Sequence, residues 1–316
     1  MKVTEVAAAV IQRADGSFLL GQRAADTFYP GYWEFPGGKV EPGETPRDAL
    51  VRELREELEI EVIEATPWIV REHVYEHAHV RLNFFRVTRW QGELRDHVHA
   101  ALEWQRPDAT SVDPMLPANA PVLAALTLPA VYGITHAWQI GVAAQLAALD
   151  AALDDGLKLV QLREGALPEA QRESFVSAAM ARCQRHGARV LVNGDAQLAR
   201  AAGADGLHLP ARQLMALDRR PPFPLVGASC HERRELEHAA RLGLDFAVFG
   251  PVRPTATHPG TGGIGWAEFA AGVAGLPLPV YAIGGLSVAE LPDALGAGAQ
   301  GIAAIRAAWP AAAPLR

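Results

Sequence analysis

Along the first third of the chain hydrophobic and polar positions alternate in short runs. "TEVAAAVIQR", "SFLLGQR" and "HAHVRLNFFRVTRW" each read as a strand, because successive side chains of an extended backbone face opposite sides. One segment breaks that period. In "PRDALVRELREEL" the apolar residues Ala49, Leu50, Val51, Leu54 and Leu58 recur at helical spacing and form a single buried stripe. Thr45 before Pro46, with Asp48 three residues on, supplies an N-cap and a proline at the first helical position. Strands with one strong helix up to about residue 126 suit an α+β layer fold. After Pro129 the pattern changes to short apolar runs separated by helical stretches rich in Ala, Leu, Arg and Glu. The runs are "VYGIT", "KLVQLRE", "RVLVNG", "GLHLP", "PLVGASC", "FAVFGPV", "PVYAIGG" and "QGIAAIRA", the number a (β/α)8 barrel needs. Domains are therefore expected at 1–127 and 128–316, with Pro117, Pro121 and Pro129 punctuating the junction.

Composition narrows the class. A chain of 316 residues, 49% hydrophobic and 21% charged, is ordinary for a globular protein and has room for two domains. No apolar segment is long enough to span a bilayer, and "MKVTEVAAAVI", with Glu5 ahead of its apolar run, reads as a first strand and not as a signal peptide. Cys183 and Cys230 have neither the number nor the spacing for a disulfide framework or a zinc knuckle; buried thiols in the cytoplasm are expected. The net charge of -7 falls entirely on residues 1–128, which hold 13 Lys and Arg against 20 Asp and Glu, while 129–316 balance at 16 each. Such an acidic surface is a poor partner for duplex nucleic acid, whose affinity depends on neutralised phosphates. It is a reasonable home for divalent cations that recruit a phosphorylated small molecule.

The helix raises a chemical question. Glu53, Glu56 and Glu57 share one face, where like charges repel, and Arg52 and Arg55 are expected to point away from the centre of the triplet. Two readings follow from the helix alone: a solvated charged face, or an oxygen-only site for Mg2+ or Mn2+. The preceding loop "EFPGGKVEPGE" places Gly37, Gly38 and Gly43 around Pro36 and Pro42, so backbone can approach a ligand closely.

Gly38, five residues, Glu44, seven residues, then Arg52-Glu53-Leu54-x-Glu56-Glu57 resembles the signature of the Nudix hydrolases. "QRAADTF", "EFPGGK", "GETP", "VRELREE", the Arg89–Glu93 segment and "PANAPV" extend the likeness over residues 1–126, and it looks closest to the MutT type, the 8-oxo-dGTP diphosphatases. The resemblance implies Mg2+ bound by Glu53, Glu56 and Glu57 with the Gly37 carbonyl, oriented by Arg52, on a loop braced by Glu44. It also implies Gly38 and Lys39 at the phosphates and a base pocket lined by Arg23, Phe35 and Asn119. Val98 stands where that type has a carboxylate to accept the water proton; Asp96, His97, His99 or a helix glutamate remain as candidates. Glu59 stands where the family has a helix-ending glycine, so a helix end without the left-handed turn is expected. His73, Tyr75, His77 and His79 alternate, which in a strand gives one shared face: a polar cleft wall against nucleotide, or a transition-metal site.

In a barrel the chemistry sits at the carboxyl ends of the strands. "VQLRE", "LVNG", "ADGLHL", "SCH", "FGPVRPT", "GGIGW", "AIGGL" and "GIAAI", spread over residues 130–308, resemble the thiamine phosphate synthase and thiazole tautomerase (TenI-like) family. Gly262, Gly263, Gly284 and Gly285 with Arg306 resemble its phosphate cup, for a thiazole or thiamine phosphate-like ligand. Glu164 and His231 resemble the acid/base pair of the tautomerases. Four positions depart from the synthases: Gly165, Gly194, Gln213 and His258 replace a lysine, two aspartates and a second lysine, and Lys158 lies at the wrong end of its strand. Tautomerase-like activity, residual synthase activity and a binding-only barrel all stay open. The fusion itself suggests a second substrate class for the hydrolase, thiamine-pathway diphosphates.

Overall fold

The computed structural model describes residues 2–254 and 262–309. The chain divides into two compact units, Met1–Thr127 with Ala274–Pro277, and Leu128–Val273 with Leu278–Arg316.

The first unit runs β1 (Val3–Ile11), β2 (Phe18–Gln22), β3 (Trp33–Glu34), β4 (Gly37–Lys39), α1 (Pro46–Leu58), β5 (Glu61–Val74), β6 (His79–Gln91), β7 (Ala101–Gln105) and α2 (Ala120–Leu126). A mixed sheet of order β4-β1-β6-β5 pairs β1 and β6 in parallel, and a small sheet of order β3-β2-β7 lies beside it. The run "AAAVI" in β1 lacks clean alternation because both of its faces are covered. Ala7, Ala9 and Ile11 join the core that holds Ala49, Leu50, Leu54 and Leu58 of α1. Ala8 and Val10 join the core that holds Val122, Ala125 and Leu126 of α2. The long strand β5 has no clear alternation in sequence, since Pro67 and four charged residues interrupt it; its pairing with β6 makes it a strand.

Thr45 caps α1 in a reciprocal box with Asp48, behind Pro46. Its C-terminus corrects an expectation. Glu59 does adopt the left-handed conformation, at φ 55° and ψ 27°. Its amide donates to Arg55 O at 3.1 Å and the Ile60 amide to Leu54 O at 3.4 Å, so the glycine-type closure is kept without glycine. The Glu59 carboxylate meets His97 Nε2 at 2.7 Å and Arg95 Nη1 at 3.4 Å, contacts that offset part of the strain of a side chain in that region. Glu59→Gly is therefore expected to stabilise the unit by under about 1 kcal/mol, because strain and these contacts are lost together. Urea unfolding measures this, and the metal requirement of the protein should not change.

The second unit begins with β8 (Val131–Ile134), α3 (Ala137–Ile140), α4 (Val142–Asp154), β9 (Leu159–Leu162), α5 (Glu169–Arg185), β10 (Arg189–Asn193), α6 (Ala196–Ala201), β11 (Gly206–Leu209) and α7 (Ala211–Met215). It continues with β12 (Leu225–Cys230), α8 (Arg233–Arg241), β13 (Phe246–Phe249), α9 (Gly265–Val273), β14 (Val280–Ile283), α10 (Leu291–Gly296) and β15 (Gly301–Ala304). The eight strands close in sequence order, β15 pairing back to β8, and each apolar run supplies one strand. The interior is filled by Tyr132, Leu159, Leu191, Leu225, Phe246 and Tyr281 among others, with Tyr132 edge-on to Phe246 at 5.3 Å. Helices as short as five or six residues at α6, α7 and α10 let so few residues close a barrel.

Candidate active sites

The polar face of α1 lies against β4, where backbone contact makes glycine obligatory at 37 and the Glu53 carboxylate fills the space beside Gly38. A Cβ on Gly38 would stand 2.2 Å from Glu53 Oε1, and one on Gly37, at φ +139°, 2.2 Å from Ala7 O. Arg52 organises this face. Its Nε and Nη2 fork Glu44 at 2.8 and 3.0 Å, Nη2 also donates to Lys39 O at 3.1 Å, and Nη1 donates to Glu53 at 2.9 Å and reaches Glu56 at 3.4 Å. The expectation that Arg52 points away from the triplet is thus corrected: the long side chain folds along the helix and ties the carboxylates to the loop. Its guanidinium holds the Glu44 carboxyl down at about 2. Arg55 does point away, 3.9 Å from Glu61.

Glu57 is the opposite case. Burial pushes its carboxyl up to about 8, and the neighbouring charges of Glu53, Glu34 and Asp96 push the same way against one hydrogen bond from the Gly37 amide. Among the described residues no three His, Cys, Asp or Glu side chains converge at metal-ligand spacing. Glu56 is 61% exposed and drawn toward Arg52, so it must turn to join Glu53 and Glu57. The donor set nevertheless fits a hard divalent cation: it is all oxygen, and its most buried member is held in a cluster of like charge that a cation would relieve. Gly37 offers its amide to Glu57, and the expected ligand role concerned its carbonyl.

The base-pocket residues are corrected in part. Phe35 is 4% exposed and packs between Phe18 and Phe84, at 5.8 and 5.7 Å, so its ring belongs to the core and not to a stacking surface. Arg23 is held by Glu34 at 2.6 Å and by Phe28 O at 2.6 Å, and Lys39 stands exposed at the end of β4. Asn119 is buried beside Trp33 O and Met115 Sδ, at 3.5 and 3.9 Å. The alternating histidines are not one strand face. Tyr75 N donates to Ala78 O in a turn between β5 and β6, which puts His79 opposite Val74 with its ring 3.3 Å from Glu72. The turn instead builds an aromatic group invisible to local pattern: Phe28 stacks on His77 at 4.3 Å, and Tyr29 lies 5.5 Å from Tyr75.

The segment after β6 is fastened at both ends. Arg95 N and His97 N donate to Leu58 O and Glu57 O, each at 3.0 Å, and Ala100 N donates to Gln22 O at 2.8 Å. Val98 and His97 face solvent, His97 against Glu59. Asp96 accepts from the Val98 and His99 amides and from His99 Nδ1 at 3.0 Å.

In the barrel a cavity of about 530 Å3 opens at the carboxyl ends of the strands, lined by Arg163, Asn193, Ser229, His231, Gly284, Gly285 and Arg306 among others. Arg163 and Arg306 converge near His136, whose pKa is pushed down by burial and by both charges. Gly284 and Gly285, at φ 108° and 64°, border this basic end. Gly263 is corrected: it does not line the cavity, and its missing Cβ is explained by Val252 O at 2.2 Å. Glu164 is corrected too. Its side chain is buried at 3% exposure, and its two oxygens accept the Ala137 and Trp138 amides at 2.8 and 3.0 Å, capping α3. It is not presented to the cavity as a base, whereas His231 is, with Nδ1 on Gly250 O at 3.2 Å.

Gln213 Nε2 donates to Gly194 O at 2.9 Å, so two of the departing positions meet in space as a neutral contact. Lys158 precedes β9 and donates to His186 O, and His258 lies outside the described residues. A hydrogen-bonded chain the sequence did not reveal runs from Gln161 to Ser229, both of which line the cavity, through the fully buried Tyr132 and His208: Gln161, Tyr132, His208 and Ser229 are linked at 3.1, 3.2 and 2.9 Å. Full burial pushes His208 down to about 3, so it stays neutral. Burial pushes the Cys183 thiol up to about 12 and Cys230 higher still, which makes neither a nucleophile at neutral pH.

Residues 2–126 match the NUDIX domain family, and residues 131–308 match the family described as thiamine monophosphate synthase. A CTP pyrophosphohydrolase of Escherichia coli is 45% identical over 131 residues, 40% of this chain and 92% of the relative. A thiamine-phosphate synthase of Mycobacterium marinum is 40% identical over 172 residues, 50% of this chain and 78% of the relative. Among solved structures, the E. coli ORF135 protein aligns at 42% identity over 39% of this chain and 87% of its own, with a TM-score of 0.34. No helix among the described residues is long and apolar enough to cross a membrane.

Proposed function

The chain belongs to the Nudix hydrolases through its first unit and to the thiamine monophosphate synthase family through its second, and from that premise we propose that it is a Mg2+- or Mn2+-dependent nucleoside triphosphate pyrophosphohydrolase joined to a phosphate-monoester-binding barrel. The observation that carries the first half is the half-buried, like-charged Glu53–Glu57 pair on a helix face that Arg52 ties to the glycine loop. When bound, the cation supplies neutralising charge for the pyrophosphate oxygens and makes an attacking water more acidic. The chain's own part is positional. Arg52 fixes Glu53 and Glu44, the Gly37 amide orients Glu57, and Gly38 lets substrate phosphate or ligand oxygens approach without a side chain.

The substrate read from the sequence is 8-oxo-dGTP, with Asn119 offering an amide that meets both a donor and an acceptor on a purine edge. CTP is a second reading, favoured by the 45% identical relative and by the loss of Phe35 as a stacking surface. Thiamine-pathway diphosphates are the third, suggested by the fusion. Steady-state kinetics on 8-oxo-dGTP, dGTP, CTP and thiamine diphosphate decide among them, with Glu53→Gln as the control that places turnover at this site. The first reading expects kcat/KM for 8-oxo-dGTP about tenfold or more above dGTP. Equal turnover of the two, or none, would sink it.

For the barrel we propose a heteroaromatic phosphate monoester, its phosphate between Arg163 and Arg306 and its ring over Gln161 and Ser229. The neutral Gln213–Gly194 contact offers no carboxylate for a metal-bound pyrophosphate, and His231 is the side chain placed to move a proton. Calorimetry with thiazole phosphate should give binding that does not depend on Mg2+; an absolute Mg2+ requirement would refute this.

A further inference from the structure

We propose that His99, oriented by Asp96, is the general base that takes the proton from the attacking water in the hydrolase unit. The segment that carries the pair is bolted to the last turn of α1 through Glu57 O and Leu58 O and to β2 through Gln22 O, so its side chains are held beside Glu57. The Asp96 charge acts on Glu57, and the His99 ring stands close enough to Glu34, which itself acts on Glu57, for its protonated form to be felt there. The His99 ring lies over Gly21, where a Cβ would stand 2.2 Å from Cδ2 and 2.5 Å from Nε2, so only glycine leaves room for it. Gly21 pairs with Glu34 across β2 and β3, which brings imidazole and carboxylate to one side of that small sheet.

The tautomer follows from the contacts. Asp96 Oδ1 sits 3.0 Å from Nδ1, so Nδ1 carries the proton and donates, and Nε2 keeps its lone pair. Nε2 has no hydrogen-bond partner among the described residues, although the side chain is only 4% exposed. A buried, oriented imidazole with one open nitrogen beside the acidic cluster is the arrangement general-base catalysis needs. The groups acting on it are Asp96 from its own segment and Glu34, with its partner Arg23, from the small sheet; Glu57 of α1 stands beyond them, acted on by both Asp96 and Glu34. His97 is excluded, because its ring is turned to Glu59 at the helix end. In the step, a water O–H bond breaks with its proton passing to Nε2, the water oxygen bonds phosphorus, and the bridging P–O bond breaks with its electron pair leaving on the departing phosphate. The products are nucleoside monophosphate and pyrophosphate, and the imidazolium returns its proton to solvent.

The inference rests on the hydrolase reading, and its test separates the two. His99→Gln, which keeps the volume over Gly21, is expected to lower kcat about a hundredfold or more while KM for nucleotide, Mn2+ affinity by paramagnetic relaxation and the unfolding midpoint stay within twofold or a few degrees of wild type. His99→Ala opens space for exogenous imidazole, which is expected to restore at least part of kcat in a saturable manner. A structural role would not give that rescue. Wild-type kcat in His99→Gln, a loss matched by weaker Mn2+ binding, or an absence of imidazole rescue in folded His99→Ala would overturn the proposal and leave the hydrolase reading standing. No turnover of any nucleotide by the wild type would overturn both.

Discussion

Glu57→Gln is expected to lower kcat by roughly a hundred- to a thousandfold and, in the same protein, to raise the unfolding midpoint of the metal-free form at pH 8. The two effects share a cause. The Glu57 carboxyl titrates at about 8 in the folded unit, against 4.5 without the fold. Below pH 4.5 both states hold the proton and the group is neutral with respect to stability. Between 4.5 and 8 the folded state keeps a proton that the unfolded state has released, so stability falls as pH rises through that window and stays low above it. At about 1.4 kcal/mol per unit, and discounting for partial burial, the loss is on the order of 2 to 4 kcal/mol. Glutamine removes it. Divalent cation relieves it in the wild type, so added Mg2+ should stabilise the wild type more at pH 8 than at pH 5 and the variant at neither. Thermal unfolding with EDTA or Mg2+ at both pH values reads this directly. A variant whose metal-free midpoint shows the same fall between pH 5 and 8 as wild type would contradict the assignment.

Glu164→Ala should destabilise the barrel by about 2 to 4 kcal/mol, because two backbone amides at the start of α3 lose their acceptors where the side chain is 3% exposed. Glu164→Gln should cost about half as much, since one amide oxygen still accepts while the new NH2 faces the other donor. The effect appears in thermal unfolding. This reverses what the motif alone suggests, where Glu164 and His231 form an acid/base pair and Glu164→Gln would be read through activity. Should Glu164→Gln leave the midpoint unchanged and remove a proton-transfer activity, the capping role would be wrong.

What was legible follows from how locally each feature is encoded. The carboxylate helix is written within residues 38–60, including its cap at Thr45 and its buried stripe, because helical spacing brings those residues together without any help from the rest of the chain. The eight barrel strands are legible for a similar reason: each is buried on both faces and therefore reads as a short apolar run. Strand β5 escaped because half its positions are polar and Pro67 breaks the period. Phe35 was misread as a base contact because an aromatic beside a glycine loop looks the same whether it faces a ligand or the Phe18–Phe84 core.

The amino-acid sequence by itself determined the two families, the carboxylate helix and the eight apolar runs that become the barrel strands. Tertiary structure alone decided how those residues are used. It turned Arg52 onto Glu53, made Glu164 a helix cap, fastened the Asp96 segment to Glu57 O through the His97 amide across 40 positions of chain, and laid the His99 ring over the bare backbone of Gly21. The physical reason is that periodicity sets only the face from which a side chain leaves its own element. Its hydrogen-bond partner, its burial and hence its charge state are set by whichever distant segment the fold lays against it.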